Sequence, residues 1–216
     1  MKVKRVVFLL FFLCSLPLCA QFNFKGELQE NSNISTAYLS LIEDYRKISG
    51  VYEEQIIKRV VIEDNSFSFS GNNLDLKNRI YRIHIDSCSD DEKGHFNGQC
   101  EASRSIAFIA NNSDTILFPI AFEDQLLCSI VSKKEHATAL SRVDSIVELM
   151  TYDYLEYRSK ANKSINDKHW FSKLQQFGES LNEPLAELYI YQFLSDRSSE
   201  FYSFYLNDLK ANTYYN

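Results

Sequence analysis

The chain has 216 residues, 45% hydrophobic and 14% aromatic, with 23 Lys and Arg against 29 Asp and Glu. Six Gly and three Pro set against 16 Phe and 13 Tyr exclude a disordered linker. A net charge of −6 without basic clusters excludes a nucleic-acid binder of the usual kind, whose affinity comes from cations on phosphates.

Met1 to Ala20 reads as a secretory signal. Lys2, Lys4 and Arg5 form a basic start, Val6 to Leu13 is apolar, and Leu16-Pro17-Leu18-Cys19-Ala20 precedes a cleavage point at Gln21. The apolar run is shorter than the roughly 20 residues a membrane span needs, and an uncleaved anchor is the alternative. Leu18 before Cys19 and Leu13 before Cys14 argue against lipidation, which wants a small residue there. Without Lys2, Lys4 and Arg5 the 23 basic residues fall to 20 against 29 acidic, a net charge of −9. The expected location is the periplasm.

Three cysteines then remain. Cys88 and Cys100 bracket a polar loop with turn residues, and in an oxidising compartment they are expected to pair. Such a bridge stabilises a fold by roughly 3 kcal/mol in the chain-entropy model. Cys128 is then a buried thiol, or the partner of one of the other two.

Taken in order, Phe22 to Leu28 and Thr36 to Ile42 alternate apolar and polar as half-buried strands do. A polar loop follows from Asp44 to Gly50. Gln55 to Ile62 is β-branched, Asp64-Asn65 is a turn, and Phe67 to Gly71 alternates again. Ile80 to Ile85, Ile106 to Ala110, Thr115 to Ile120 and Leu126 to Val131 complete about eight strands, with a tight turn over Asn111 to Asp114. Short strands at this spacing predict an antiparallel β-sandwich over 21–131.

The period changes at Ser132. Ser132-Lys-Lys-Glu135 fits a capping box, and Leu140, Val143, Val147, Met150, Tyr154 and Tyr157 follow on one helical stripe. That stripe suits a helix packed on its own domain better than a coiled-coil seam, which wants more heptads. Asn166 to Leu181 is a second helix, Asn182 caps a third that Pro184 opens, and Phe201 to Lys210 is a fourth. An α-helical bundle is expected over 132–216. The aromatic surplus of its last helices, Tyr189 and Phe204 among them, reads as core or as a partner surface.

Chemistry-bearing residues are sparse. A zinc set can be written from His84, His95, Cys88 and Cys100, but the spacing matches no familiar pairing, and the disulfide competes for both thiols. His84 and Asp86 share a strand face as a solvated pair, and no nucleophile stands near them in the sequence. There is no Cys-x-x-Cys, no phosphate-binding glycine loop and no nucleophile elbow. Neither a catalytic residue nor a cofactor is expected, and the chain reads as non-enzymatic. Asp114-Thr115-Ile116 and Asp144-Ser145-Ile146 resemble the O-glycosylated tripeptides of Bacteroidota periplasmic proteins.

Two resemblances follow from these segments. Phe22-Asn-Phe-Lys-Gly, Ala37-Tyr-Leu-Ser-Leu, Phe67-Ser-Phe-Ser-Gly and Phe108-Ile-Ala-Asn-Asn-Ser-Asp-Thr-Ile resemble a β-domain that precedes thioredoxin-like domains in Bacteroidota envelope proteins. Asp44-Tyr-Arg-Lys-Ile-Ser-Gly-Val-Tyr, Arg79-Ile-Tyr-Arg-Ile-His, Phe96-Asn-Gly-Gln-Cys and Asn182-Glu-Pro-Leu-Ala-Glu-Leu-Tyr resemble the extracytoplasmic region of flavobacterial membrane regulators with a LuxR-type helix-turn-helix domain. The chain ends before a membrane helix or DNA-binding domain, so neither is carried over and a truncated form is expected. The second resemblance implies a sensory input module whose partner is an envelope protein or small ligand. The first implies the alternative, an accessory domain for thiol–disulfide chemistry. Membrane attachment would need the uncleaved signal or the missing helix.

Overall fold

The computed structural model describes residues 21–29, 34–44, 48, 50–85, 104–119, 129–158 and 163–195. The strands are β1 (Phe22–Glu27), β2 (Thr36–Leu41), β3 (Ile56–Val61), β4 (Ser66–Gly71), β5 (Arg79–Ile85), β6 (Arg104–Ala110) and β7 (Thr115–Phe118). The helices follow as α1 (Glu135–Thr138), α2 (Val143–Arg158), α3 (Lys163–Ser180) and α4 (Pro184–Ser195). The fold is thus mixed, with its described strands before its described α-helices. The predicted signal segment, the Cys88–Cys100 loop with His95 and Asp86, Cys128 and the helix expected from Phe201 all lie outside the described residues.

Two sheets form, ordered β4-β1-β7 and β3-β2-β5-β6. One pairing departs from the antiparallel expectation: β1 and β7 run parallel, Phe24 opposite Ile116. The reason lies in the turn at Asn111–Asp114. It does not fold β7 back on β6 as a hairpin but carries the chain from the four-stranded sheet to the three-stranded one. Asp64 and Asn65, both with positive φ (50° and 55°), do the same between β3 and β4. Asn and Asp tolerate that left-handed conformation at low cost.

The sheets meet through aromatic rings. Phe24 stacks edge-on to Phe108 at 5.0 Å and Phe108 edge-on to Phe118 at 5.5 Å, joining β1, β6 and β7 across the interface. Such geometry adds about 0.5–1.5 kcal/mol per pair beyond area burial. Register puts Leu39, Ile83, Ile106 and Phe108 on this inner face. The opposite face carries Tyr38, Ser40, Ile80, Arg82, His84 and Ile109, and it is buried as well. Period-2 alternation therefore marks the two faces of β5 but not exposure.

Helices help to cover that outer face. α1 packs on β6, and one contiguous core runs from Phe22 through Val143 and Trp170 to Ile190. The stripe of Leu140, Val143, Val147 and Tyr154 is buried in the protein's own core, as the packed-helix reading expects. α3 packs on α2 and α4, with Tyr154 stacked on Trp170 at 5.1 Å.

Both predicted caps are realised differently. Ser132 Oγ donates to Thr115 O and accepts from Lys134 N, so α1 starts after Lys134 with no side-chain cap. Arg142, at φ 60°, then breaks the expected continuous helix, and α2 begins beyond it. Asn182 is left-handed (φ 51°) and closes α3, its N–H donating to Glu179 O. Glu183 takes the capping place for α4, accepting Leu185 N–H at 3.4 Å on Oε1.

Gly26 shows how tightly the three-stranded sheet is packed. It faces Phe67 across the β1–β4 pair, and a Cβ there would stand 2.3 Å from that ring. Phe67 is buried and packs on Phe69 and Phe118, which leaves the ring little room to yield. Gly26→Ala is expected to destabilise the protein by about 1–3 kcal/mol through overpacking, read from urea unfolding midpoints. An unchanged midpoint would show that the ring moves aside freely.

Candidate functional site

The outer face of the four-stranded sheet gathers the polar side chains that the core cannot ignore. Arg82 lies mid-strand on β5, 4% exposed. Its guanidinium donates from Nη2 to Ile48 O and from Nη1 to Gly50 O, both in the loop after β2. Burial pushes the Arg82 guanidinium below its ordinary value, against the opposing influence of Tyr189, Asp144 and Tyr52. Two of those three belong to helices, Asp144 to α2 and Tyr189 to α4. The sheet, the loop and the helices meet around one cation.

Asp144 answers that cation without touching it. Tyr189 Oη donates to Asp144 Oδ1 at 2.9 Å, tying α4 to α2. Asp144 as a residue keeps solvent access. Even so, the desolvation imposed by surrounding protein raises its carboxyl above the ordinary value, opposed by the Tyr189 hydrogen bond and the Arg82 charge.

Beside Arg82 runs a row of aromatic and cationic groups. Tyr38 stacks on His84 directly across the β2–β5 pair, with centroids 4.6 Å apart and planes 8° off parallel. Arg59 of β3 lies over the Tyr38 ring at 5.5 Å. His84 is 1% exposed, so it is not the solvated residue the sequence reading expected, and its pairing with Asp86 lies outside the described residues. His84 is a core residue under a tyrosine.

A second polar cluster closes the end of the sheets at the β6–β7 turn. Asp114 is fully buried, and its Oδ2 accepts from Asn111 N at 2.8 Å and meets His136 Nε2 at 2.7 Å, joining the turn to α1. Asn112 binds the 72–78 loop twice, through Leu74 N to its Oδ1 and its own N–H to Asp75 O. Asp75 in turn holds Arg79 at 2.9 Å. Its carboxyl sits below its ordinary value, chiefly through the Lys77 backbone N–H and then Arg79.

These placements settle several sequence readings. Asp114 and Asp144, the acidic members of the two tripeptides, are engaged by His136 and Tyr189, while Thr115 is exposed and Ser145 Oγ donates to Arg142 O. Of the zinc set only His84 is described, and no three His, Cys, Asp or Glu groups converge for a metal among the described residues. No described helix is long and apolar enough to cross a membrane. Arg82 and the Asp114–His136 pair escaped the sequence reading. The usable signal for Arg82 was a cation inside the run Arg-Ile-Tyr-Arg-Ile-His-Ile, at a strand position flanked by isoleucine and tyrosine.

The Asp144 carboxyl gives a pH test. A carboxyl raised in the fold favours the native state when protonated, so its contribution is complete below the unfolded value of 3.8 and fades as pH rises through the raised native value. Relative to Asp144→Asn, wild type is expected to lose stability as pH rises above the unfolded value of 3.8 and through the raised native value, measured by chemical denaturation at each pH. Parallel pH profiles would contradict this environment for Asp144. No protein-family model matches this chain, and no significant match to it was found among curated proteins or solved structures.

Proposed function

We propose that the chain is an exported, non-enzymatic sensory or interaction module, the periplasmic input portion of a one-component membrane regulator. One observation carries the reading: Arg82 of the sheet holds two loop carbonyls, while Tyr189 of α4 holds Asp144 of α2. A displacement of the loop at Ile48–Gly50 is passed to β5 through a single buried group. Input modules need such a connection between a ligand-facing loop and the segment that passes the signal on. The helices after Ser132, taken as a bundle, are the transmitting part in this reading.

Other features support it. The polar groups of the outer face are spent on structure: the guanidinium on carbonyls, Asp144 on Tyr189, Asp114 on His136. The signal-like segment Met1–Ala20 supports export, and the likeness of Arg79-Ile-Tyr-Arg-Ile-His to flavobacterial regulators supports the assignment to signalling.

The test pairs binding with chemistry on the full chain. Calorimetric titration with fractions of small molecules from the envelope is expected to give a saturable response, and mass spectrometry to recover the bound compound unaltered. Catalytic conversion of the compound would contradict the non-enzymatic reading. Absence of saturable binding across all fractions would contradict the sensory one.

A further inference from the structure

Helix α2 is apolar on two sides. Val143, Val147 and Tyr154 are buried on the side that meets the core. Ile146, Leu149 and Tyr152, each three residues apart and so neighbours along the helix, stand away from it, 38%, 66% and 62% exposed. A helix that only covers its own domain needs one apolar stripe and shows polar residues elsewhere. Single exposed apolar residues are ordinary on a protein surface, but contiguous ones mark interaction sites. Tyr152 is steadied along the helix, its Oη donating to Glu148 Oε1 at 3.4 Å.

Charge decides what covers this second stripe. Between Val143 and Tyr157 the sequence has Asp144, Glu148, Asp153 and Glu156 and no Lys or Arg. Glu148 and Asp153 are exposed beside the apolar residues. A second copy of the chain in a two-fold contact would bring the same patch against itself. That sets carboxylate against carboxylate, the like-charge cost that suppresses wrong partners. An anionic membrane surface attracts basic segments and repels this one. A cationic partner gains where those two lose. Rows of side chains on a helix interlock with the ridges of another helix, so the complementary shape is helical. We propose that this side of α2 docks a basic amphipathic helix of another protein. Its apolar side chains lie against Ile146, Leu149 and Tyr152, and its lysines or arginines against Glu148 and Asp153. The surface deepens the interaction reading above and rests on it for its biological setting alone.

The probe is a synthetic peptide of about 18 residues, long enough to be helical in isolation, with leucines at alternating spacings of three and four and lysines between them. It is titrated calorimetrically into the full chain. The comparisons are the same peptide with glutamate for lysine, and one of the same composition scrambled to break the stripe. Saturable binding is expected for the basic amphipathic peptide, none for the glutamate peptide, and binding about tenfold weaker for the scrambled one. Leu149→Ser is expected to weaken binding about tenfold, the scale of a central interface residue. Glu148→Lys combined with Asp153→Lys is expected to do the same and to flatten the salt dependence. These positions are exposed, so unfolding midpoints are expected to hold; should Leu149→Ser fail to fold, the charge variant decides. Equal binding of the glutamate or scrambled peptide, undiminished binding by the variants, or no binding of the basic peptide would overturn the site. So would sedimentation that finds a dimer of the free chain dispersed by Leu149→Ser, since a second copy would then cover the stripe. None of these outcomes touches the envelope-fraction assay, which reads small-molecule binding.

Discussion

A guanidinium shut away from water is the constraint from which much of this structure follows. Arg82 stands in the middle of a strand whose neighbours Tyr81 and Ile83 are fully buried. A cation there is costly unless its donors are met and an opposite charge stands near. The protein meets the donors with Ile48 O and Gly50 O, which folds the loop after β2 over the sheet. Tyr189 Oη donates to Asp144 Oδ1 and so ties α4 to the start of α2. The helices are therefore joined by a hydrogen bond as well as by the apolar stripe of Val143 and Val147.

The inner face is organised by shape instead. Phe24, Phe108 and Phe118 interlock across the two sheets, and Gly26 is small where Phe67 needs the space. With one face of the central strands held by rings and the other by loop and helices, β5 is buried along its length from Ile80 to Ile85. Strand and helix residues share one core.

Much of this was legible in the sequence because it is written locally. Alternation placed β1, β4 and β7, the Asp64-Asn65 turn showed its left-handed residues by type, and the stripe from Leu140 to Tyr154 gave the buried face of α2. The misses are long-range or competitive. Parallel pairing of β1 with β7 depends on a turn that switches sheets, and nothing in Asn111–Asp114 separates that from a hairpin. Ser132 had a capping signature, yet Thr115 O lies nearby in space and takes its hydroxyl. Asn182 and Glu183 are both able to cap, and the left-handed closure of α3 claims Asn182. His84 read as solvated because its cover, Tyr38, comes from a strand 46 residues earlier in the chain.

The stability of Arg82→Met tests the central claim most directly. Methionine fills similar volume but donates nothing, leaving Ile48 O and Gly50 O without their partner. Equilibrium urea unfolding is predicted to show a loss of about 3 kcal/mol, the scale of two hydrogen bonds from a charged donor. Arg82→Lys should recover little of it, because an ammonium lacks the planar fork that reaches two carbonyls together. A methionine variant as stable as wild type would contradict the account, and would mean that apolar packing alone holds the loop and helices on the sheet.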